Sequence, residues 1–148
     1  MTKVVPGFVF SLPCDLGFAV GLVTRQVPRI GDLVWLAEPT FDEEPDAKAV
    51  QGIVAWRWPV LIPVGPMVRR RLVTPIGAVA IPGRLQELPL LRSGNRKMGW
   101  REVRVVTDGS SSQPLRATTD ATLPIYRVVN DTRLKEMLVS AWRPEDDW

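Results

Sequence analysis

The sequence predicts a mainly β protein: a bent antiparallel sheet or partly open barrel carrying one short C-terminal helix. Three observations predict it. Apolar residues run in short blocks or strict alternation. Fourteen prolines and eleven glycines punctuate those blocks. Only beyond Asn130 do apolar residues fall at helical spacing. The 148 residues fit a single domain, 1–148, with no solenoid-period repeat.

The elements follow in order. After Pro6-Gly7, the run Phe8–Leu12 places Phe8, Phe10 and Leu12 on one face of a strand. Pro13–Gly17 is turn material and Phe18–Thr24 a second strand, so the two read as a β-hairpin. Gly21, inside the second strand, signals a bulge or a close backbone approach. Pro28–Asp32 turns the chain into a strand over Leu33–Ala37, and Glu38–Asp46 is an acidic, proline-broken loop. A strand or pair of strands is expected between Val50 and Val64, with Pro59 and Pro63 pointing to a sheet edge or a break. Pro82-Gly83 marks a turn, and Leu85–Leu91 has the composition of one helical turn. Trp100–Val106 alternates cleanly and is read as a strand, whereas Asp108–Gln113, with three serines, reads as a flexible segment. A further strand is expected around Leu123–Val129. The helix then starts at Asn130 or Asp131, turns Leu134, Met137, Leu138 and Ala141 inward, and ends at Pro144.

Composition restricts the chemistry. There is no histidine and only one cysteine, Cys14, so the commonest general base, the commonest metal ligand and every Cys/His pair are missing. The acidic run Asp42-Glu43-Glu44-Pro45-Asp46 lacks the spacing and glycine of an EF-hand loop. Nothing near Cys14 activates it as a nucleophile, and Ser110–Ser112 lies in no nucleophile elbow. No glycine-rich phosphate motif occurs. The expectation is a protein that is not an enzyme, with no catalytic residue, no cofactor and no metal. A histidine-free hydrolase is a distant third reading. No signal-peptide core precedes Pro6, and Gly17–Val23 is too short to span a bilayer, so a cytoplasmic protein with no membrane association is expected. A single thiol fits a reducing compartment.

What remains is equipment for binding. Residues 1–66 carry a net charge of −2 and residues 67–148 a net of +5, a polarity that steers association. The cations Arg69, Arg70, Arg71, Arg84, Arg92, Arg96, Lys97, Arg101 and Arg104, with Trp100 among them, resemble the basic groove and aromatic platform of single-strand binders. A net charge of +3 is small for that role. Of the six tryptophans, Trp35, Trp56 and Trp100 sit in apolar strands and read as core, whereas Trp58 and Trp148 read as exposed contact residues.

The order of landmarks carries a resemblance. Gly7-Phe8-Val9-Phe10-Ser11-Leu12-Pro13, a turn and Gly17-Phe18-Ala19-Val20-Gly21-Leu22-Val23 come first. Trp58–Val64, Ile76-Gly77, Leu88–Arg92, Trp100–Val105 and Asp108-Gly109 then follow. Over about Gly7–Gly109 this is similar to the immunity protein 26 family of bacterial polymorphic toxin systems; the Arg69–Arg71 cluster and the proline density depart from that pattern. The resemblance implies a non-catalytic cytoplasmic inhibitor that binds and neutralises a cognate protein toxin, and it assigns no binding residues. Physical reasoning offers two contact regions. One is the acidic loop, Asp42, Glu43, Glu44 and Asp46, which would mimic phosphate in the cleft of a basic toxin. The other is Arg69, Arg70 and Arg71 against an acidic face, with Trp58 as an aromatic anchor. The alternative function is a nucleic-acid-binding β-barrel regulator or antitoxin-like module.

Overall fold

The computed structural model describes residues 3–105 and 113–147. Two antiparallel sheets form the molecule, and they do not close into a barrel. The first contains β1 (Phe8–Cys14), β2 (Gly17–Val27), β3 (Gly31–Ala37), β4 (Trp56–Ile62) and β5 (Thr74–Ala78), in the order β4-β3-β2-β1-β5. The second contains β6 (Leu90–Asn95), β7 (Gly99–Arg104) and β8 (Pro114–Thr118), in chain order. Among the described residues there are three α-helices, α1 (Ala47–Gln51), α2 (Val64–Arg69) and α3 (Asp131–Val139), and two 3₁₀ turns, Gly83–Leu85 and Pro144–Asp147.

The first hairpin follows the sequence pattern: β1 pairs with β2 from Val9↔Leu22 to Cys14↔Gly17. Phe8, Phe10 and Leu12 enter one core cluster, while Val9 enters the cluster on the opposite face. Gly21 lies directly opposite Phe10, and the phenyl ring lies over it: a Cβ there would stand 2.3 Å from Cζ. The glycine therefore serves an aromatic side chain, neither a bulge nor a neighbouring backbone. The irregularity in β2 falls instead between Val23 and Arg25.

Both faces of the five-stranded sheet are covered. On one, α2 and α3 bring Val64, Met67, Leu134, Met137 and Leu138 onto Phe8, Phe10, Val34, Trp58 and Ile62. On the other, Val50 of α1, Ile53 and Leu85 cover Val9, Val20, Leu22 and Trp56. Leu33 and Leu61 of the first sheet meet Leu91 and Val105 of the second in a smaller cluster that joins them.

Several expectations need correction. Val50 lies in α1, so the segment Val50–Val64 contributes one strand, β4, between two helices. Its place at the sheet edge accommodates Pro59, whose missing N–H would break an inner ladder. The register shift between Trp35 and Ala37 sets an extra β4 residue against β3, and this turns Trp56 and Trp58 to opposite faces despite their even spacing. The helical turn expected over Leu85–Leu91 is a single 3₁₀ turn at Gly83–Leu85, followed by β6. β6 and β8 carry no strand pattern in the sequence. β7 pairs with β6 in unbroken register, and the shift against β8 between Arg101 and Val103 sets an extra residue in β8; Glu102 and Val103, which alternate to opposite faces, are both buried. Val106, the serine-rich stretch through Ser112 and Trp148 lie outside the described residues.

Leu123–Val129 is no regular strand. It is a strap held by two isolated parallel bridges, Arg92↔Ile125 to the second sheet and Leu61↔Val128 to the first. Asn130 caps the helix that follows, its Oδ1 accepting the Arg133 N–H at 2.8 Å. α3 stops at Val139, before Pro144. The terminator is a left-handed residue, Ala141 (φ 52°), with Trp142 N–H donating to Met137 O at 2.9 Å and Ala141 N–H to Leu138 O at 3.3 Å. This Schellman turn leaves Ala141 exposed, not in the core, and folds Trp142 back over the helix. Arg71 (φ 59°) terminates α2 with the same pair of bonds.

Asp32 of β3 is half-buried where α2 begins, and it accepts the Val64 N–H, capping a helix whose own N-cap residue, Pro63, has no side-chain bond to give. Burial pushes its carboxyl up to about 6, the hydrogen bond from Val64 opposing. The folded state therefore prefers the protonated acid. The stabilisation this group gives is complete below its unfolded value near 3.8 and is lost as pH rises through about 6. Asp32→Asn keeps an acceptor for Val64 and removes the charge. Urea denaturation should find it more stable than the parent by about 1–2 kcal/mol at pH 7.5, allowing for solvent screening, and equal at pH 4.

Candidate functional site

The acidic loop is built as a stiff display. Gly17 and Phe18 open β2, and Phe18 exchanges two backbone hydrogen bonds with Phe41, at 2.7 and 2.9 Å. The approach is so close that a Cβ on Gly17 (φ 105°) would stand 2.2 Å from Phe41 O. Past Phe41, Pro45 is buried and Asp46 caps α1, its Oδ1 accepting the Ala49 N–H at 2.8 Å. Glu44 accepts a 2.7 Å hydrogen bond from the fully buried Ser11 hydroxyl. Glu44 and Asp46 thus hold the loop, while Asp42 and Glu43 are exposed and pair with no described residue.

The Arg69–Arg71 cluster occupies the C-terminal end of α2 and its Schellman turn. All three side chains are exposed, and none forms an ion pair among the described residues. Cations suit this end of a helix, where carbonyl oxygens converge. Arg71 is left-handed at a position that glycine usually fills. The charge is therefore presented on a fixed turn.

Trp58 is not exposed. Its side chain belongs to the core cluster under α2 and α3, with 7% of its surface accessible. The ring meets Trp142 edge to face, with centroids 5.0 Å apart, and its Nε1–H donates to Trp142 O at 3.2 Å. The structure therefore separates the expected set. The acidic loop leads into α1, on the face holding Trp56, whereas Trp58 and the arginine turn belong to the face under α2 and α3.

The basic run also divides. Arg92 is completely buried. Its Nε donates to Leu123 O at 2.9 Å, Nη2 donates to Pro144 O, and the guanidinium lies 4.0 Å over the centre of the Trp100 ring. Burial lowers its pKa, with the carboxylates of Asp147, Glu145 and Asp120 opposing. Trp100 is 7% accessible beneath it, so this indole offers no platform for a base. Arg96, Lys97, Arg101 and Arg104 remain exposed on the β6–β7 hairpin.

Among the described residues no three acidic or cysteine side chains come together as a metal site, and no helix is long and apolar enough to cross a membrane. Cys14, at the end of β1, is half-buried against the main core cluster.

Sequence reasoning did not single out a cleft between β4, the strap and α3. Its walls include Trp58, Val60, Met137 and Trp142, with Arg127 and Arg133 at the rim, and it encloses about 220 Å³. Trp142 signalled nothing by spacing, because only the turn after α3 brings it beside Trp58. Compared with models of known families, with curated proteins and with solved structures, the chain matches none.

Proposed function

We propose that this protein acts by stoichiometric occlusion of a protein partner, as a cytoplasmic immunity protein binding a cognate bacterial toxin. The observation that carries the reading is the acidic loop. Two carboxylates with no partner among the described residues, Asp42 and Glu43, are held out on a segment pinned at Phe41, Glu44, Pro45 and Asp46. Fixed charge that the fold does not consume lowers the ordering cost of an encounter and steers it toward a basic surface. The resemblance of its landmark order to the immunity protein 26 family is in keeping with this reading.

Asp42→Lys/Glu43→Lys tests it cleanly, since neither side chain supports the fold. Glu44 and Asp46 are poor probes because their loss loosens the loop itself. If a modular toxin gene adjoins this one, its purified product should bind the unaltered protein in titration calorimetry, and the double variant should fold normally and bind at least tenfold more weakly. Unchanged affinity would eliminate the loop as the contact.

A second reading, nucleic-acid binding, rests on the exposed cations Arg96, Lys97, Arg101 and Arg104 of the β6–β7 hairpin. It is favoured instead if random oligonucleotides bind with an affinity that falls steeply with salt.

A further inference from the structure

We infer that the cleft between β4, the strap and α3 is a binding site for a small carboxylate carried on an aromatic ring. The inference does not depend on the toxin-binding reading.

The floor selects the ring. Trp58 and Trp142 present carbon edges and faces, because both indole N–H groups are already used: Trp58 donates to Trp142 O at 3.2 Å and Trp142 to Asp147 Oδ2 at 3.2 Å. Met137 and Val60 extend that apolar surface. A thioether and two indoles favour an aromatic guest over an aliphatic one. The volume of about 220 Å³ is below the roughly 300–1,000 Å³ of drug-sized pockets, so the guest is a single ring with a short substituent.

The rim selects the charge. The Arg127 side chain is exposed and its guanidinium has no hydrogen-bond or ion-pair partner among the described residues, while Arg133 stands 3.5 Å from Asp147 and 3.5 Å from Glu136. The one carboxylate in the wall, Asp147, is occupied by Arg133 and the Trp142 N–H. With Arg133 held between Asp147 and Glu136, the positive charge of the mouth rests on Arg127. Arg127 is the group free to close on an incoming anion, and its planar fork matches a carboxylate. Phenylacetate has the required shape and charge.

The test uses phenylacetate and its neutral isostere phenylacetamide, with the indole N–H resonances of the ¹⁵N-labelled full-length protein as readout. Phenylacetate should shift the Trp58 and Trp142 signals and leave Trp56 unmoved, with a dissociation constant of about 0.1–1 mM. The amide should bind about tenfold more weakly, and Arg127→Gln, an exposed change that the fold tolerates, should bring the two ligands within twofold. Absence of shifts at 10 mM phenylacetate would overturn the site. Equal binding of acid and amide by the unaltered protein, or full discrimination retained in Arg127→Gln, would overturn its anion selectivity.

Discussion

Arg92→Ala is expected to lower the unfolding free energy by about 3–5 kcal/mol. The guanidinium is fully buried and is the hub of the C-terminal third of the chain: it donates to the carbonyls of Leu123 and Pro144 and stacks on Trp100. Truncation removes the donor from the buried Pro144 O and the partly buried Leu123 O, the buried one alone costing about 1–3 kcal/mol, and opens a cavity above the indole. The backbone of Arg92 contributes separately, receiving the Tyr126 N–H and donating to Pro124 O, both at 2.8 Å. The strap would therefore stay attached at its start while the segment around Pro144 loosens. Arg92→Lys should recover less than half the loss, because one ammonium cannot reproduce two divergent donors and a flat stacking face. Urea denaturation measures both; a loss under about 1 kcal/mol for the alanine variant would contradict this role.

Trp58→Ala is expected to cost a comparable 3–5 kcal/mol, through lost burial, a cavity under α3 and the broken edge-to-face contact with Trp142. Trp58→Phe keeps most of the ring and loses the hydrogen bond to Trp142 O, so about 1–2 kcal/mol is expected. An exposed interface tryptophan would behave differently, with stability changing by less than about 0.5 kcal/mol on truncation. Thermal or urea unfolding of the two variants separates these cases. It also explains why loss of partner binding in Trp58→Ala would be no evidence of direct contact.

The parts of the fold legible in the sequence are those where local pattern and tertiary burial agree. Phe8, Phe10 and Leu12 alternate over Gly17–Val27, and the hairpin forms as read. The Asn130 cap and the Leu134, Met137, Leu138 stripe define α3. Pro59 in β4 correctly points to a sheet edge. Failures occur where a single inserted residue changes a face. The extra residue in β4 sends Trp58 into the main core, although its neighbours Arg57 and Pro59 suggest exposure. Leu123–Val129 has strand composition but pairs only through isolated bridges, because it runs from one sheet to the other. Arg92 is indistinguishable from its surface counterparts in composition, and its complete burial against Trp100, with Leu123 O and Pro144 O as acceptors, is a product of the folded chain.

The candidate contact region was half visible. The density of Asp42–Asp46 marks an acidic loop, yet the sequence does not distinguish Glu44 and Asp46, which brace it, from Asp42 and Glu43, which it displays. That distinction depends on Ser11 and Ala49, distant or local partners whose positions follow from the folded sheet and the start of α1. The Arg69–Arg71 cluster is legible as charge but not as a helix terminus with Arg71 in a left-handed conformation.

The most direct test of the central claim is calorimetric titration of the adjacent gene's product with the unaltered protein and with Asp42→Lys/Glu43→Lys. A one-to-one complex that silences the toxin without consuming any compound is expected, weakened at least tenfold by the double reversal. A failure to form any complex, or catalytic turnover at protein concentrations far below that of the toxin, would contradict it.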